Sequence, residues 1–368
     1  MPISPRKELS NLVPATHGSP DYAEMERLGL DVEEIIDFSV CSNPFGPPSS
    51  IRNGLAKAVI DKYPDTEATE LRLALSQKLG LRPQNIIVGN GSTELIRLAA
   101  SVYFSPADTV IIIKPDFGEY EVASRLCGAT IVHLTMKPQD GFRLPLDKLV
   151  KLIREHKPKG LFLSNPNNPT GNYLSRKEME AILDASSECL VIVDEAYVSF
   201  VGNAWPSQDL IERENLMILR SMTKDYTLAG LRLGYAMANT QIIANLRLAR
   251  PPWNVNAIAL KAGVLALQDA EFLDKSLKKL RQERDSLMAK LEILGLKTVP
   301  AQANYFLVKV GNAHLFRERL LEQKILVRDC TSFGLPDYVR IAPRTPRENK
   351  RLVATLKEIN LSGLQSPK

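Results

Sequence analysis

Seven short apolar runs, separated by longer segments of mixed polarity, constrain the fold of this chain more than any other feature. Each run is rich in Ile, Val and Leu and is bounded by polar residues, glycine or proline. Such runs are typical of strands covered on both faces, as in parallel sheets. They occupy residues 86–88, 109–113, 129–134, 160–164, 190–193, 216–219 and 235–238. The pattern predicts an α/β fold with a three-layer α/β/α large domain around a mostly parallel seven-stranded sheet.

The segments between these runs carry helix signals. Leucines spaced by four residues end at Gly80, which predicts a helix over residues 69–79. Ser175 is followed three residues later by Glu178, the pattern of a capping box, so a second helix is expected to begin there.

The pattern changes after two consecutive prolines at 251 and 252. Residues 256–294 are predicted to form one long helix. Short strands at 305–308 and 338–341, with helices at 314–323 and 346–359, complete a smaller α+β domain. We therefore expect residues 1–45 to form an N-terminal arm that contributes to the small domain. Residues 46–255 would form the large domain, and residues 256–368 the small C-terminal domain.

Composition excludes several classes of protein. The 368 residues include 47 Lys plus Arg and 42 Asp plus Glu, a net charge of +5 that does not favour binding to nucleic acid. Four scattered cysteines and four histidines do not predict a metal site or a disulfide framework, and free thiols indicate the cytoplasm. No apolar run approaches the roughly 20 residues needed to span a membrane.

Polar residues with complementary chemistry follow several of the predicted strands. Asn168, Asp194 and Lys224 come after three successive runs, and Arg232 follows Lys224 closely in the chain. Because the carboxyl ends of strands converge on the ligand crevice of an open α/β sheet, these side chains are expected to meet.

This set of residues fits pyridoxal 5′-phosphate (PLP). The Lys224 amine can form a Schiff base with an aldehyde, and an aspartate such as Asp194 can keep a pyridine nitrogen protonated. Asn168 and Tyr197 are candidates to hydrogen-bond the ring hydroxyl. The guanidinium of Arg232 can pair with the cofactor phosphate.

Further cofactor contacts are predicted around these residues. Gly91, Ser92 and Thr93 follow one strand and open a helix, whose free backbone amides suit a phosphate. Ser221 and Thr223 add hydroxyl donors next to Lys224. Phe117 follows another strand and is placed to stack on a flat ring. We expect these ligands to be the following: Gly91, Ser92, Thr93, Phe117, Asn168, Asp194, Tyr197, Ser221, Thr223, Lys224 and Arg232.

With these motifs in place, the chain resembles the class I/II aminotransferase superfamily, the fold-type I PLP enzymes. The resemblance rests on residues 166–171 (PNNPTG), on 194–197 (DEAY), and on Lys224 with 230–235 (GLRLGY), and it extends from about residue 17 to 359. It implies that Lys224, Asp194 and Tyr197 are catalytic and that Arg340 holds a substrate carboxylate. It also implies a homodimer in which Tyr63 reaches the partner's site.

Two branches of this superfamily compete. Stretches around residues 17–18 and 328–330 are more similar to L-threonine-O-3-phosphate decarboxylase of cobalamin biosynthesis than to histidinol-phosphate aminotransferase. We therefore expect a decarboxylase that forms (R)-1-aminopropan-2-yl phosphate from a small phosphorylated amino acid, with an aminotransferase as the alternative. The resemblance then places His17, Gly18, Tyr63, Asn168, Arg328 and Arg340 around the substrate. Cys41 departs from both branches, which typically carry asparagine there. A non-catalytic binding protein is disfavoured by the intact Lys224.

Overall fold

The computed structural model describes residues 3–10 and 12–359. The ends of the predicted first and last domains, residues 1–2 and 360–368, and residue 11 lie outside the described residues.

Over the described residues, the helices alternate with strands through most of the chain. The helices are α1 (Tyr22–Leu28), α2 (Ser49–Leu55), α3 (Thr69–Leu79), α4 (Gly91–Tyr103), α5 (Glu119–Leu126), α6 (Leu146–His156), α7 (Arg176–Ala185), α8 (Thr240–Ala249), α9 (Ala257–Gln268), α10 (Ala270–Ile293), α11 (Ala313–Leu321) and α12 (Pro346–Glu358).

The strands fall into one large and two small sheets. They are β1 (Ile36–Asp37), β2 (Ile86–Asn90), β3 (Thr109–Lys114), β4 (Thr130–Thr135), β5 (Gly160–Ser164), β6 (Leu190–Asp194), β7 (Leu216–Ser221), β8 (Leu233–Ala238), β9 (Lys297–Thr298), β10 (Phe306–Lys309), β11 (Ile325–Leu326), β12 (Arg328–Asp329) and β13 (Tyr338–Ile341).

The large sheet confirms the predicted fold class. It has seven strands in the order β2-β8-β7-β6-β5-β3-β4. The pairs β3–β4, β3–β5, β5–β6 and β6–β7 are parallel, whereas β8 runs antiparallel to both β2 and β7. Each of the seven apolar runs coincides with one of these strands.

Burial on both faces explains why the runs lack alternation. In β3, Ile111 and Ile113 belong to one hydrophobic cluster, whereas Val110 and Ile112 belong to another. Because successive side chains point to opposite faces, an apolar residue is needed at every position when helices cover both sides.

The predicted helix starts and stops are mostly confirmed. α3 ends at Gly80 in the left-handed conformation, and Ser175 with Glu178 forms a capping box at the start of α7. The predicted single helix over residues 256–294 is wrong. Asp269 interrupts it, and its side chain accepts a hydrogen bond from the backbone N–H of Phe272 to begin α10.

The C-terminal part packs around a four-stranded antiparallel sheet in the order β12-β13-β10-β9. Strand β1, from the N-terminal arm, pairs in parallel with β11, so the arm joins this part of the molecule. The division of the chain at residues 45 and 255 stays a prediction. No helix of the described residues has the length and apolar character required to traverse a lipid bilayer.

Candidate active site

A cavity of about 280 Å³ lies at the carboxyl ends of the central strands, between the large sheet and the C-terminal part. Most of the predicted site residues line it. The lining residues are Thr16, His17, Gly18, Ser39, Val40, Cys41, Ser92, Thr93, Phe117, Tyr120, Ser164, Asn168, Asp194, Ala196, Tyr197, Ser221, Thr223, Lys224, Arg232, Arg328, Phe333 and Arg340.

Lys224 lies just beyond β7, in a loop whose backbone is fixed from another part of the chain. The backbone N–H of Asn43 donates to the carbonyl of Lys224 at 2.8 Å, and the Asn43 side chain donates to the carbonyl of Asp225 at 3.0 Å. Burial lowers the pKa of Lys224, and the positive charges of Arg340 and Arg232 lower it further. The neutral amine, the nucleophilic form, is therefore more accessible than in an exposed lysine.

Asp194 ends β6 and is buried in the cavity wall. One carboxylate oxygen accepts a hydrogen bond from the Tyr120 hydroxyl and the other from the backbone N–H of Ala196, both at 2.9 Å. Burial raises the pKa of Asp194, and these two hydrogen bonds oppose that effect. Neither donor carries a positive charge, so a cationic group in the cavity would be strongly favoured beside this carboxylate.

Asn168 and Tyr197 approach the same space from two loops. The Asn168 side-chain oxygen accepts a hydrogen bond from a terminal guanidinium nitrogen of Arg340. The Tyr197 ring packs edge-on against Tyr305 at 4.8 Å between centroids. Burial raises the pKa of Tyr197 above its ordinary value, so its hydroxyl keeps its proton and can donate a hydrogen bond.

One end of the cavity forms a cradle suited to phosphate. Gly91 opens α4 with a φ of +75°, and a side-chain carbon at this position would lie 2.9 Å from a terminal guanidinium nitrogen of Arg232. Arg232 itself has a φ of +57°, a conformation that costs a non-glycine residue roughly 1–2 kcal/mol. The hydroxyls of Ser221 and Thr223 hydrogen-bond each other at 2.7 Å. A helix N-terminus, an arginine and hydroxyl groups together fit the PLP phosphate.

Two buried arginines from the four-stranded sheet also line the cavity. Arg328 on β12 is the direct cross-strand partner of Arg340 on β13. Like charges placed opposite each other destabilise a sheet, and burial increases the cost. Burial lowers the pKa of Arg328, and the charge of Arg340 lowers it further. The Nε of Arg340 is buried without a hydrogen-bond partner among the described residues. An anion bound here would pair with the positive charges of both Arg328 and Arg340.

The N-terminal segment closes one side of the cavity. The carbonyl of Thr16 accepts a hydrogen bond from Arg328 at 2.8 Å, and His17 lies 3.3 Å from the carboxylate of Glu119. Gly18 passes so close to the chain that an added side-chain carbon would lie 2.8 Å from the carbonyl oxygen of Ser39. This segment therefore bridges the large sheet and the C-terminal part.

Two predicted site residues lie elsewhere. Gly91 does not line the cavity; it lies at the start of α4 next to the guanidinium of Arg232. Tyr63 is 79% exposed and stacks on Trp253 at 4.4 Å, away from the cavity of its own chain. Phe117, by contrast, lies in the cavity with its ring 5.5 Å from that of His17.

Several lining residues were not predicted from the sequence. The main one is Tyr120, in the first turn of α5, whose hydroxyl donates a hydrogen bond to Asp194 and whose ring packs edge-on against Phe117 at 5.7 Å between centroids. Ser164 ends β5 and so has the same strand-end signal as Asp194, whereas Ser39 has none, because only the fold brings its loop to the cavity. Over the part of the chain that the structure describes, no group of three or more His, Cys, Asp or Glu side chains is arranged to hold a metal ion.

Comparison with known proteins agrees with this geometry. Residues 33–356 match the family described as aminotransferase class I and II. A histidinol-phosphate aminotransferase from Symbiobacterium thermophilum is 35% identical over 360 residues, which cover 96% of this chain and 98% of that protein.

Two solved structures have the same fold. One is histidinol-phosphate aminotransferase from Sinorhizobium meliloti in complex with pyridoxal-5′-phosphate, with a TM-score of 0.88, 23% identity and 97% of each chain covered. The other is L-threonine-O-3-phosphate decarboxylase from Porphyromonas gingivalis, with a TM-score of 0.77, 26% identity, and 87% of this chain and 98% of that chain covered.

The fold and the site thus define a PLP-dependent enzyme of fold type I. The chain belongs to the aminotransferase class I and II family. The predicted superfamily and the predicted cofactor, PLP, are confirmed.

The expectation of an L-threonine-O-3-phosphate decarboxylase is wrong. Relatives that cover nearly the whole chain at 33–35% identity are histidinol-phosphate aminotransferases, which favours the alternative. Of the motifs taken as distinctive, at residues 17–18 and 328–330, His17, Gly18 and Arg328 line the cavity. They do not determine which bond at the Cα of a substrate is broken.

Proposed function

We propose that this protein is a histidinol-phosphate aminotransferase, which transfers the amino group of L-histidinol phosphate to 2-oxoglutarate. The observation that carries the proposal is the buried pair Arg328 and Arg340, directly opposite each other in the cavity that contains Lys224 and Asp194. Histidinol phosphate has no carboxylate, so its phosphate is the anion that these arginines would bind. In the other half-reaction the same arginines would bind the carboxylates of 2-oxoglutarate.

The residues proposed to hold the cofactor are the polar and aromatic side chains that line the cavity. When bound, PLP supplies an aldehyde carbon that joins the substrate amine and a ring that draws electrons from Cα. Asp194 would hold a proton on the ring nitrogen, with Tyr120 and Ala196 fixing its two oxygens. Asn168 and Tyr197 would hydrogen-bond the ring hydroxyl, and Phe117 would stack on the ring.

The phosphate of the cofactor would be held at the cradle described above. Arg232 would pair with it, the first turn of α4 at Gly91, Ser92 and Thr93 would donate backbone N–H groups, and Ser221 and Thr223 would add hydroxyl donors. Pairing with this phosphate would offset the cost of the left-handed conformation of Arg232.

Lys224 would move the proton in the reaction. Because burial lowers its pKa, its Nζ can be neutral when it is free of the cofactor and can take the proton from the substrate Cα. Thr16, His17 and Gly18 would cover the substrate and exclude water, since this segment already contacts Arg328 and Glu119.

The proposal is tested by measuring product formation and by comparing substrates with and without the phosphate group. PLP-loaded protein with L-histidinol phosphate and 2-oxoglutarate should form glutamate over many turnovers, and Lys224→Ala should form none. Histidinol without phosphate should react with a kcat/KM at least about 100-fold lower, because the arginines are then left unpaired. Equal rates with both compounds would contradict the assignment of the arginines to the phosphate.

We also propose a homodimer. Tyr63 and its stacking partner Trp253 are exposed, and Val59 and Ile60, which are 55% and 77% exposed, lie close to Tyr63 in the chain. Exposed apolar groups of this kind suit a second copy of the chain, in whose cavity Tyr63 would contact substrate.

Mixing two inactive variants tests this arrangement. A heterodimer of Lys224→Ala and Tyr63→Ala chains has one cavity that receives both an intact lysine and an intact tyrosine, provided that Tyr63 acts on the partner's cavity. Activity should therefore return on mixing. No recovery, in a sample shown by sedimentation to contain the mixed dimer, would contradict the role of Tyr63 in trans.

A cytoplasmic location is part of the same proposal. The cysteines are free thiols, three of them buried, which suits a reducing compartment. Cell fractionation with an antibody against the protein would check it.

A further inference from the structure

Asp116 is a buried carboxyl group that the proposed chemistry does not use. It follows β3 and is only 3% exposed. Burial raises its pKa to about 8, against hydrogen bonds from Ser164 and from the backbone N–H of Phe117. A buried carboxyl group with its pKa raised in this way destabilises the fold, so its presence beside the cavity indicates a functional role.

Three donors converge on this carboxyl group. The backbone N–H of Phe117 donates to one oxygen at 2.8 Å, and the backbone N–H of Ser164 donates to the other at 3.0 Å. The Ser164 hydroxyl also contacts the first oxygen. Asp116 therefore joins the loop after β3 to the end of β5.

The contacts of Ser164 extend this connection to the cavity. Its hydroxyl oxygen accepts hydrogen bonds from the backbone N–H of Asn168 at 3.0 Å and from the side chain of Asn167 at 3.3 Å. A serine hydroxyl has two acceptor sites and one proton. Since both acceptor sites are occupied, the proton must point to Asp116. The chain of hydrogen bonds thus has one direction, from Asn168 through Ser164 to Asp116.

We propose that Asp116 is a positioning residue, which fixes Phe117 directly and Asn168 through Ser164. This inference rests on the proposed function, in which Phe117 and Asn168 contact the cofactor ring. Asn168 also accepts a hydrogen bond from Arg340, so the same chain of contacts aligns an arginine assigned to the substrate.

The test is Asp116→Asn, measured above pH 8 so that the wild-type carboxyl group is ionised; the change preserves shape but replaces one acceptor oxygen with an NH₂ donor. An asparagine cannot accept from all three donors at once, so either Phe117 or Ser164 loses its partner. We expect the dissociation constant of PLP, measured by fluorescence titration of the apoprotein, to rise about 10-fold, the lower end of the loss seen when residues that orient metal ligands are changed. We also expect the visible circular dichroism band of bound PLP to change, because this band reports the orientation of the ring.

Asp108→Asn is the matched control, since Asp108 lies just before the other end of β3 and caps the turn at Ser105. It should bind PLP as the wild type does. Ser164→Ala is the second variant; it should shift the dissociation constant and the dichroism band in the same direction. The double variant Asp116→Asn, Ser164→Ala should be no worse than the stronger single variant, because both changes break one chain of contacts.

Wild-type PLP affinity and an unchanged dichroism band in folded Asp116→Asn would overturn the proposal. If that variant does not fold, the same result in Ser164→Ala would overturn it. Failure of the proposed function would look different. A wild-type protein inactive on histidinol phosphate would still bind PLP and show the band on which the comparison depends.

Discussion

Arg340→Lys is expected to separate the binding of substrate from the binding of cofactor. The guanidinium of Arg340 is buried and holds Asn168 and the carbonyl of Ser39, the latter at 2.8 Å, while its Nε has no partner among the described residues. Lysine keeps the positive charge but loses the planar fork of donors that matches phosphate and carboxylate.

The size of the effect follows from the hydrogen bonds that a lysine cannot make. One charged hydrogen bond is worth about 1.5–3 kcal/mol, and replacing the fork removes at least one of those made to the substrate anion. The kcat/KM for histidinol phosphate should therefore fall about 10- to 150-fold. The dissociation constant of PLP should stay within about 3-fold, because Lys224, Asp194, the phosphate cradle and the Ser164 contact that fixes the Asn168 backbone are untouched.

Steady-state kinetics and PLP titration of the same preparation measure both quantities. Arg351→Lys, an exposed arginine on α12, is the control and should behave as wild type. A kcat/KM within about 3-fold of wild type would refute the assignment of Arg340 to the substrate anion. An equal loss in PLP affinity would show instead that Arg340 acts by holding Asn168.

Three further changes test other parts of the structure. Gly18→Ala should lower kcat/KM by about 10-fold or more without unfolding the protein, because its side chain would meet the Ser39 carbonyl and displace the N-terminal segment. Gly202→Ala, where the added carbon meets nothing closer than 3.8 Å, should leave kcat/KM unchanged. Equal activity of the two variants would argue against closure of the cavity by this segment. Gly234→Ala places a carbon within 3.0 Å of backbone atoms of Gly91, Ser92 and Arg220. The variant should therefore be less stable in urea unfolding by about 1–3 kcal/mol and should bind PLP more weakly. A urea midpoint equal to that of wild type would show that the phosphate cradle can move to accommodate the added carbon. Burial raises the pKa of Glu121, but hydrogen bonds from Lys114 and Arg125 outweigh this effect and lower the pKa to about 2. The Glu121 carboxylate therefore stabilises the fold above its ordinary pKa of 4.5 and loses that contribution as the pH falls from 4.5 towards 2. The urea midpoint of Glu121→Gln should lie below that of wild type at pH 6 and converge with it near pH 2, and a difference that is constant with pH would contradict this.

The strands of the large sheet could be predicted because their signal is local. A strand buried on both faces needs an apolar residue at every position, and this requirement is written directly in runs such as 110–113. The break at Asp269 could not be predicted in the same way, because an aspartate inside a helical pattern is compatible both with a surface position and with a new N-cap.

The central residues of the candidate site follow from the same rule. Asn168, Asp194 and Lys224 come after neighbouring strands, so the sheet itself brings them to one cavity. Arg328 and Arg340 lie opposite each other because of the register between β12 and β13 in the four-stranded sheet. This register could not be predicted from the local sequence. The expectation of a decarboxylase was wrong because the reaction depends on which bond at Cα lies perpendicular to the cofactor ring, and these residue types do not determine that angle.

The most direct measurement of the central claim is the stoichiometry of the reaction with histidinol phosphate alone. PLP-loaded protein should release about one equivalent of the ketone product per active site when 2-oxoglutarate is absent, and should turn over repeatedly once it is added. This burst is the result that an aminotransferase with separate half-reactions predicts. No ketone from histidinol phosphate, together with steady release of CO₂ from a phosphorylated amino acid without any acceptor, would contradict the account.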